Sequence, residues 1–304
     1  MNKPFYKHVA TLIAISSFSS WAMADAEIYG KANVSFQNSD DGTGSATEVR
    51  SNASRIGLKG SETLDNDLNA IYQFEFQVAV DDGDNDGDAL SQRNIFVGLQ
   101  GNMGTVKVGK FDTPFKESQN KIDLFNDLNG DIANIITVND NRPNNILSYT
   151  SPEAPVVVTV AYISSEDDAV DNGISASVSF TQGNLYLAVA VDQDVEAEGA
   201  EATRGVVQYT LNDWQFGALV EESDAGAGSE SGFLVSAQYK LSAKTKLNAQ
   251  YGTSDIDEMG GESLSLGADY SLAKPVKVFG FITTIESDEG TDESYVGGGV
   301  EYKF

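Results

Sequence analysis

Residues 26–37 read AEIYGKANVSFQ, and they alternate with period two. Ala26, Ile28, Ala32, Val34 and Phe36 hold one parity, while Glu27, Tyr29, Lys31, Asn33, Ser35 and Gln37 hold the other. A strand built this way is apolar on one face and polar on the opposite face. The same alternation returns along the chain. Phe74, Phe76 and Val78 oppose Gln73, Glu75 and Gln77, and Leu264, Leu266 and Ala268 oppose Ser263, Ser265 and Asp269. Connections alternate in length as well. Short turns fall at 63–67, 100–103, 151–155, 182–184, 211–213, 242–245 and 271–275. Longer acidic loops rich in Gly and Ser fall at 38–52, 81–90, 112–143, 164–172, 192–202, 221–231, 253–261 and 285–293. Seven short and eight long connections join sixteen strands. Strands of about ten residues, even in number, with short turns at one end and long loops at the other, describe an all-β, 16-stranded antiparallel transmembrane β-barrel.

Composition agrees with a barrel and excludes other classes. Only 40% of the 304 residues are apolar, a thin supply for a soluble core but enough for a sheet that meets lipid outside and water inside. Sixteen strands leave an aqueous lumen, whereas eight would be filled by side chains. Asp and Glu number 46 against 19 Lys and Arg, so a nucleic-acid partner is excluded for want of a basic face. The absence of cysteine removes disulfides, thiolate nucleophiles and thiolate metal sites. The single histidine, His8, lies in a segment expected to be removed, which leaves no His-based triad or metal site. No enzyme activity, cofactor or tightly held metal is expected.

Residues 1–24 read as a secretory signal peptide. Lys3 and Lys7 make a basic start, a short apolar stretch follows, and Ala22-Met23-Ala24 forms a small-x-small site, so cleavage is expected between Ala24 and Asp25. The apolar run is too short for a spanning helix. The barrel domain is then 25–304. One strand resists the pattern: Arg93 shares its parity with Ile95, Val97 and Leu99, while Phe96 takes the other. Either a bulge shifts the register there, or both faces are buried, as packing against another subunit would require.

Several stretches resemble the Gram-negative general diffusion porin family. These are AEIYGKANVSF at 26–36, SRIGLKGSETL at 54–64, RNIFVGLQGNMGTVKVGK at 93–110 and RPNNILSYTSP at 142–152. The chain ends EYKF, where Tyr302 and Phe304 resemble the family's outer-membrane assembly signal. The resemblance implies an outer-membrane homotrimer whose third long loop, here 112–143, folds into the lumen and narrows it. That loop reads DLFNDLNGDIAN at 123–134 and lacks the Pro-Glu-Phe-Gly turn of the enterobacterial members.

Permeation through such a barrel makes and breaks no bond; it needs a wet hole with a field across it. Lys31, Arg55 and Lys59 are inward by alternation, and Arg93 and Arg142 match positions where the family places wall arginines. These five are the expected basic ladder. Glu117, Asp123, Asp127 and Asp131 are the expected acids on the inserted loop. Opposed charges across a narrow pore order water and ions and disfavour apolar solutes. Asp127 and Asp131 can equally cap local turns or a short helix.

The acidic run DDGDNDGD at 81–88 starts like an EF-hand loop, with Asp82, Asp84, Asp86 and Gly87. Its twelfth position is Arg93 rather than Glu, and its flanks are strands, which removes the bidentate ligand and the paired helices. Weakly bound divalent cations bridging acidic loops to lipopolysaccharide are the expectation instead, in an outer membrane whose lipid surrounds the barrel. The expected function is a water-filled channel for small hydrophilic solutes and ions, mildly preferring cations. Two alternatives remain: a substrate-selective porin, for which inward Tyr29, Tyr186, Phe279 and Phe281 are too scattered to form a track, and an adhesin or receptor barrel.

Overall fold

The computed structural model describes residues 26–81, 89–137, 139–166, 171–224, 228–255, 260–288, 290 and 292–304. The leader expected at 1–24, the bond between Ala24 and Asp25, and Asp82, Asp84, Asp86 and Gly87 lie outside the described residues. The first strands in chain order are β1 (Glu27–Asp40), β2 (Ser45–Ser51), β3 (Arg55–Thr63), β4 (Asn69–Val78), β5 (Leu90–Gly101) and β6 (Gly104–Lys110). A helix, α1 (Pro114–Ser118), and a single 3-10 turn (Ile132–Asn134) follow. Then come β7 (Ile146–Thr150), β8 (Val156–Ile163), β9 (Gly173–Gln182), β10 (Leu185–Gln193), β11 (Glu201–Leu211) and β12 (Trp214–Asp224). The last five are β13 (Ser229–Lys240), β14 (Thr245–Ser254), β15 (Gly261–Ala273), β16 (Val276–Ser287) and β17 (Glu293–Lys303).

Each strand pairs antiparallel with its sequence neighbours, and β1 pairs with β17, so the sheet closes on itself. β2 and β3 are two halves of one stave, because both pair with β1, above and below a break at 52–54. The count is therefore sixteen staves. Closure is what lipid demands, since no edge can leave its backbone groups unbonded in hydrocarbon. The chain end takes part: Gly30 N–H donates to the Phe304 carbonyl at 2.9 Å and Phe304 N–H donates to Gly30 at 3.1 Å. The Phe304 ring lies against Gly30, where a Cβ would come within 2.3 Å of it, and its centroid is 5.7 Å from that of Tyr302.

The outer face is the exposed parity. Val97, Val108, Val158, Val207 and Leu266 are all exposed. Near the short turns, Tyr149, Tyr209, Trp214, Tyr270 and Tyr302 stand exposed as an aromatic girdle of the kind that sits at a membrane interface. The short turns fall where alternation placed them. The first long loop does not: β1 runs to Asp40 and β2 restarts at Ser45, so the connection is only 41–44 rather than 38–52. The Asp41 carboxylate closes that turn by accepting from the N–H groups of Thr43 and Gly44, with Gly42 at φ 76°. The strand there is polar on both faces and so carries no alternation to read. The expected loops at 192–202 and 221–231 shorten likewise, as β10, β11, β12 and β13 run further into them.

Two bulges sit side by side on the barrel wall. Val34 pairs with Ser51 and Lys31 with Arg55, so Ala32 and Asn33 face three residues, Asn52, Ala53 and Ser54. Ala53 absorbs the extra length at φ 47°, and the Ser54 hydroxyl bonds both the N–H and the carbonyl of Asn33, at 2.9 and 3.0 Å. Two strands on, Phe74 pairs with Ile95 and Phe76 with Gln92, leaving Glu75 alone opposite Arg93 and Asn94. Of the two readings left open near Arg93, this bulge is the register shift. Below it, Ile95 and Val97 face out while Phe96 turns inward, its ring edge-on to Phe111 at 5.8 Å.

Candidate functional site

The long connection between β6 and β7 folds into the lumen. Its apolar residues Phe115, Ile122, Phe125, Ile132, Ile135 and Ile136 are buried. Ile122, Ile132, Ile135 and Ile136 pack on inward Ala188, Val206, Leu219, Leu234 and Ile285 of the wall. Phe115 packs on Ala190 and Ala202, and Phe125 packs on Phe279 and Phe281. Inward glycines make room. A Cβ on Gly217 would sit 2.7 Å from that of Ile122, one on Gly232 2.6 Å from the Ile136 carbonyl, and one on Gly252 2.7 Å from the Ile136 side chain. Phe279, Phe281 and Tyr186 are therefore seat and anchor for the loop, Tyr186 donating to the Ser118 carbonyl at 2.9 Å.

Polar bonds fix the loop's path. The side-chain amide of Gln250 donates to Asp123 at 3.0 Å and to the Gly130 carbonyl at 2.8 Å, and its oxygen accepts from Leu124 N–H at 2.8 Å. The neck is clamped as well. Arg142 meets Asp112 at 2.6 Å, and Lys116 meets Asp140 at 2.8 Å and Asp112 at 3.5 Å. α1 begins at a Thr113 cap, whose hydroxyl accepts from Lys116 N–H, with Pro114 in its first turn.

Between loop and bulged wall lies a polar chamber of about 440 Å³, lined by Arg55, Arg93, Arg142 and Lys116 and by Glu75, Asp112, Glu117, Asp127, Asp131 and Asp140. The bulge aims two consecutive side chains into it. Arg93 donates to Glu75 at 3.0 Å and to Gln77 at 2.9 Å, and Asn94 bridges Asp112 and Arg142 at 3.0 and 3.1 Å. Arg55 approaches the other oxygen of Glu75 at 3.8 Å, and Tyr29 donates to that oxygen at 2.9 Å. The wall basics are thus held by carboxylates of the wall and of the loop neck.

The expected ladder divides. Arg55, Arg93 and Arg142 share the chamber. Lys31 is buried and paired with Asp127, at the boundary between the chamber and a small pocket lined by Phe125, Phe279, Lys277 and Asp269. Lys59 stands apart. It pairs with Glu27 at 3.3 Å near the short-turn end and lies over the Tyr29 ring at 5.0 Å. The acids divide too. Glu117, Asp127 and Asp131 line the chamber, whereas Asp123 does not. Asp123 is buried inside the loop, accepting from Phe125 and Ile132 N–H at 3.1 and 3.2 Å, so its carboxylate braces backbone instead of facing solutes. Burial, with Asp131 beside it, holds its pKa well above the carboxylate range. Burial also raises Asp131 to about 6, against the opposing pull of the N–H groups of Ala133 and Asp127 that it accepts. Asp131 caps the 3-10 turn and still lines the chamber.

Glu75, Asp112, Asp140 and Lys116 are chamber residues that alternation did not single out. Glu75 could have been found, since it has the inward parity of Gln73 and Gln77. The other three lie in a loop without periodicity. Among the described residues, no cluster of His, Cys, Asp and Glu is arranged to hold a metal ion.

A family model described as Gram-negative porin matches residues 10–290. Major outer membrane protein P.IB of Neisseria sicca is 37% identical over 111 residues, 34% of this chain and 30% of that protein. P.IB of Neisseria gonorrhoeae is 31% identical over 176 residues, 54% of this chain and 49% of that protein. The match thus spans about a third to a half of the length of these two relatives. Outer membrane porin protein 32 of Delftia acidovorans is 22% identical over 317 residues, covering 93% and 90% of the two chains. Among solved structures, Salmonella typhi OmpF in complex with daunomycin superposes with a TM-score of 0.73 at 17% identity, over 92% of this chain and 98% of that one. In-vitro folded OmpT of Vibrio cholerae in its trimer form gives 0.70 at 19% identity, over 92% and 99%. At these identities the structural likeness concerns the fold.

Proposed function

The chain belongs to the Gram-negative porin family, whose members lie in the outer membrane, and from that premise we propose that its lumen passes small hydrophilic solutes and ions with a mild preference for cations. The observation that carries this reading is the chamber. Three arginines and Lys116 line it together with six carboxylates, and Arg93, Arg142 and Lys116 are already paired. The excess carboxylate charge draws cations into the narrowest water, and the opposed signs disfavour solutes that cannot be polarised. The acidic loops at the outer mouth add a field of the same sign, reaching about 10 Å at 0.1 M salt. Measured in a planar bilayer under a salt gradient, the reversal potential should show cations favoured, with the preference shrinking as salt rises. A potential of the opposite sign would refute it.

The channel works by passive diffusion, with no reaction step and no cofactor. Its assembly is a homotrimer. Exposed Gln92 pairs with Phe76, so a polar side chain interrupts the apolar belt at β5. Lipid disfavours such groups, and a neighbouring copy can bond them. The trimer form of the Vibrio cholerae protein has the same fold. Divalent cations held loosely at acidic outer loops bridge the surface to lipopolysaccharide.

A further inference from the structure

Arg204 projects from β11 behind the inserted loop and is 0% exposed. It is the only Lys or Arg between Arg142 and Lys240. Its guanidinium meets Glu221 of β12 at 2.7 and 2.8 Å. It also donates to the Thr137 hydroxyl at 3.0 Å and to the Phe115 carbonyl at 3.3 Å, and it lies over the Phe115 ring at 4.2 Å. Thr137 in turn donates to Glu221 at 2.6 Å. Phe115 belongs to the outgoing limb of the loop and Thr137 to the returning limb. One wall cation therefore holds both limbs at once. Asp192 of β10 is the other buried carboxylate facing the cluster, next to Ser175.

We propose that Arg204 is a positioning residue that sets the width of the pore by bolting both limbs of the inserted loop to the wall. Much of the loop's seat is apolar: isoleucines on Ala188, Val206, Leu219, Leu234 and Ile285, and Phe125 on Phe279 and Phe281. Such contacts are non-directional, and the other polar holds, Gln250 on 123–130 and Tyr186 on Ser118, each grip one stretch of the loop and not both limbs. A buried ion pair adds little net stability against an apolar substitute, but it accepts only one geometry. The planar fork of an arginine satisfies a carboxylate, a hydroxyl and a carbonyl in one plane; a lysine ammonium cannot. The inference rests on reading the lumen as the conducting path.

The test uses the full-length protein reconstituted in planar bilayers. Wild type should give steady unit steps. Arg204→Gln should raise the variance of the open-level current roughly twofold and lift the mean step, because the loop samples wider positions. Arg204→Lys should fall between them. Thr137→Val leaves the Arg204–Glu221 pair intact and frees only the returning limb, so it should show the same change in smaller measure; it decides the matter if Arg204→Gln fails to assemble. Thr137→Val touches no bond between staves, so the barrel's resistance to heat should stay at the wild-type value while the noise rises, a separation that a merely stabilising role does not give. The proposal is overturned if Arg204→Gln and Thr137→Val both keep wild-type current and noise, or if the noise rises only where resistance to heat falls. A wild-type protein that gives no steps would instead overturn the channel reading beneath it.

Discussion

The two arcs of the barrel wall that face the inserted loop are built on opposite plans. The arc from β3 to β7 is bulged and charged: Arg55, Glu75, Arg93 and Asn94 line the chamber from irregular backbone. The arc from β10 to β16 keeps regular pairing for almost its whole length, and its inward positions opposite the loop are mostly small or apolar, among them Ala188, Val206, Gly217, Leu219, Gly232 and Leu234, with Arg204 and Glu221 as one buried ion pair. A bulge re-aims side chains, and here it puts two neighbours on the same face where strict alternation would allow one. A glycine removes a side chain and lets another segment come close. One arc thus makes a wet, charged surface and the other a dry seat, from the same antiparallel ladder.

Filling the seat should break that contrast most visibly. A Cβ on Gly232 or Gly252 falls within 2.6–2.7 Å of Ile136. Leucine at both positions should expel the returning limb of the loop, since overpacking costs about 1–3 kcal/mol per site and the loop is the part free to move. The largest change is expected here, a marked rise in single-channel conductance with the barrel's resistance to heat retained. An unchanged conductance would mean that the loop is held by its neck alone.

Removing charge from the other arc should alter selectivity more than size. Arg55→Gln with Arg93→Gln leaves Glu75 without its cations. The reversal potential should move further toward cations, and apolar solutes should pass faster in liposome swelling. Unchanged reversal potentials would remove these two arginines from the permeation path.

A smaller effect tests the loop's own acids. The Asp131 carboxyl is raised to about 6 by burial, so it is ionised above that pH and neutral below it. Lowering pH from 7.5 to 5 should therefore remove the Asp131 charge from the chamber, and Glu117, which burial also raises, adds to the loss. Cation preference should fall across that window. Asp131→Asn should show a reduced preference at pH 7.5 and a smaller step between the two pH values.

How much of this was legible in the sequence follows the same division. Staves that present one lipid face and one water face carry a period of two, and the count of sixteen followed from the rhythm of short and long connections between them. The seat could not, because a glycine says nothing about which distant residue fills its space; Gly217 and Ile122 are brought together only by the closed barrel. The bulge left a trace, the parity conflict between Arg93 and Phe96, but parity alone could not separate a register shift from a second buried face. Asp123 looked like Asp127 and Asp131 in a loop without periodicity, and only the path of the backbone shows that it turns inward to Phe125 and Ile132. Arg204 had a signal that alternation did not weigh: a solitary cation at an inward position, with no other Lys or Arg between Arg142 and Lys240.

Lys59 gives the smallest effect and the sharpest test of where the charged arc ends. By alternation it belongs to the same inward row as Arg55, and β3 pairs Lys59 with Glu27 as it pairs Arg55 with Lys31. Four residues along a strand is about 13 Å, which places Lys59 beyond the chamber at the short-turn mouth. Its side chain is 46% exposed and its partner Glu27 is 63% exposed, so water screens the pair and its contribution to stability is small. At 0.1 M salt the screening length is shorter than the distance to Arg55, so Lys59→Ala should leave the reversal potential within error of wild type at that salt. At about 0.01 M salt the Debye length grows to about 30 Å, and the same substitution should then shift the potential slightly toward cations. A large shift at 0.1 M would mean that the field extends along the whole inward row of β3, and the bulges would no longer mark its boundary.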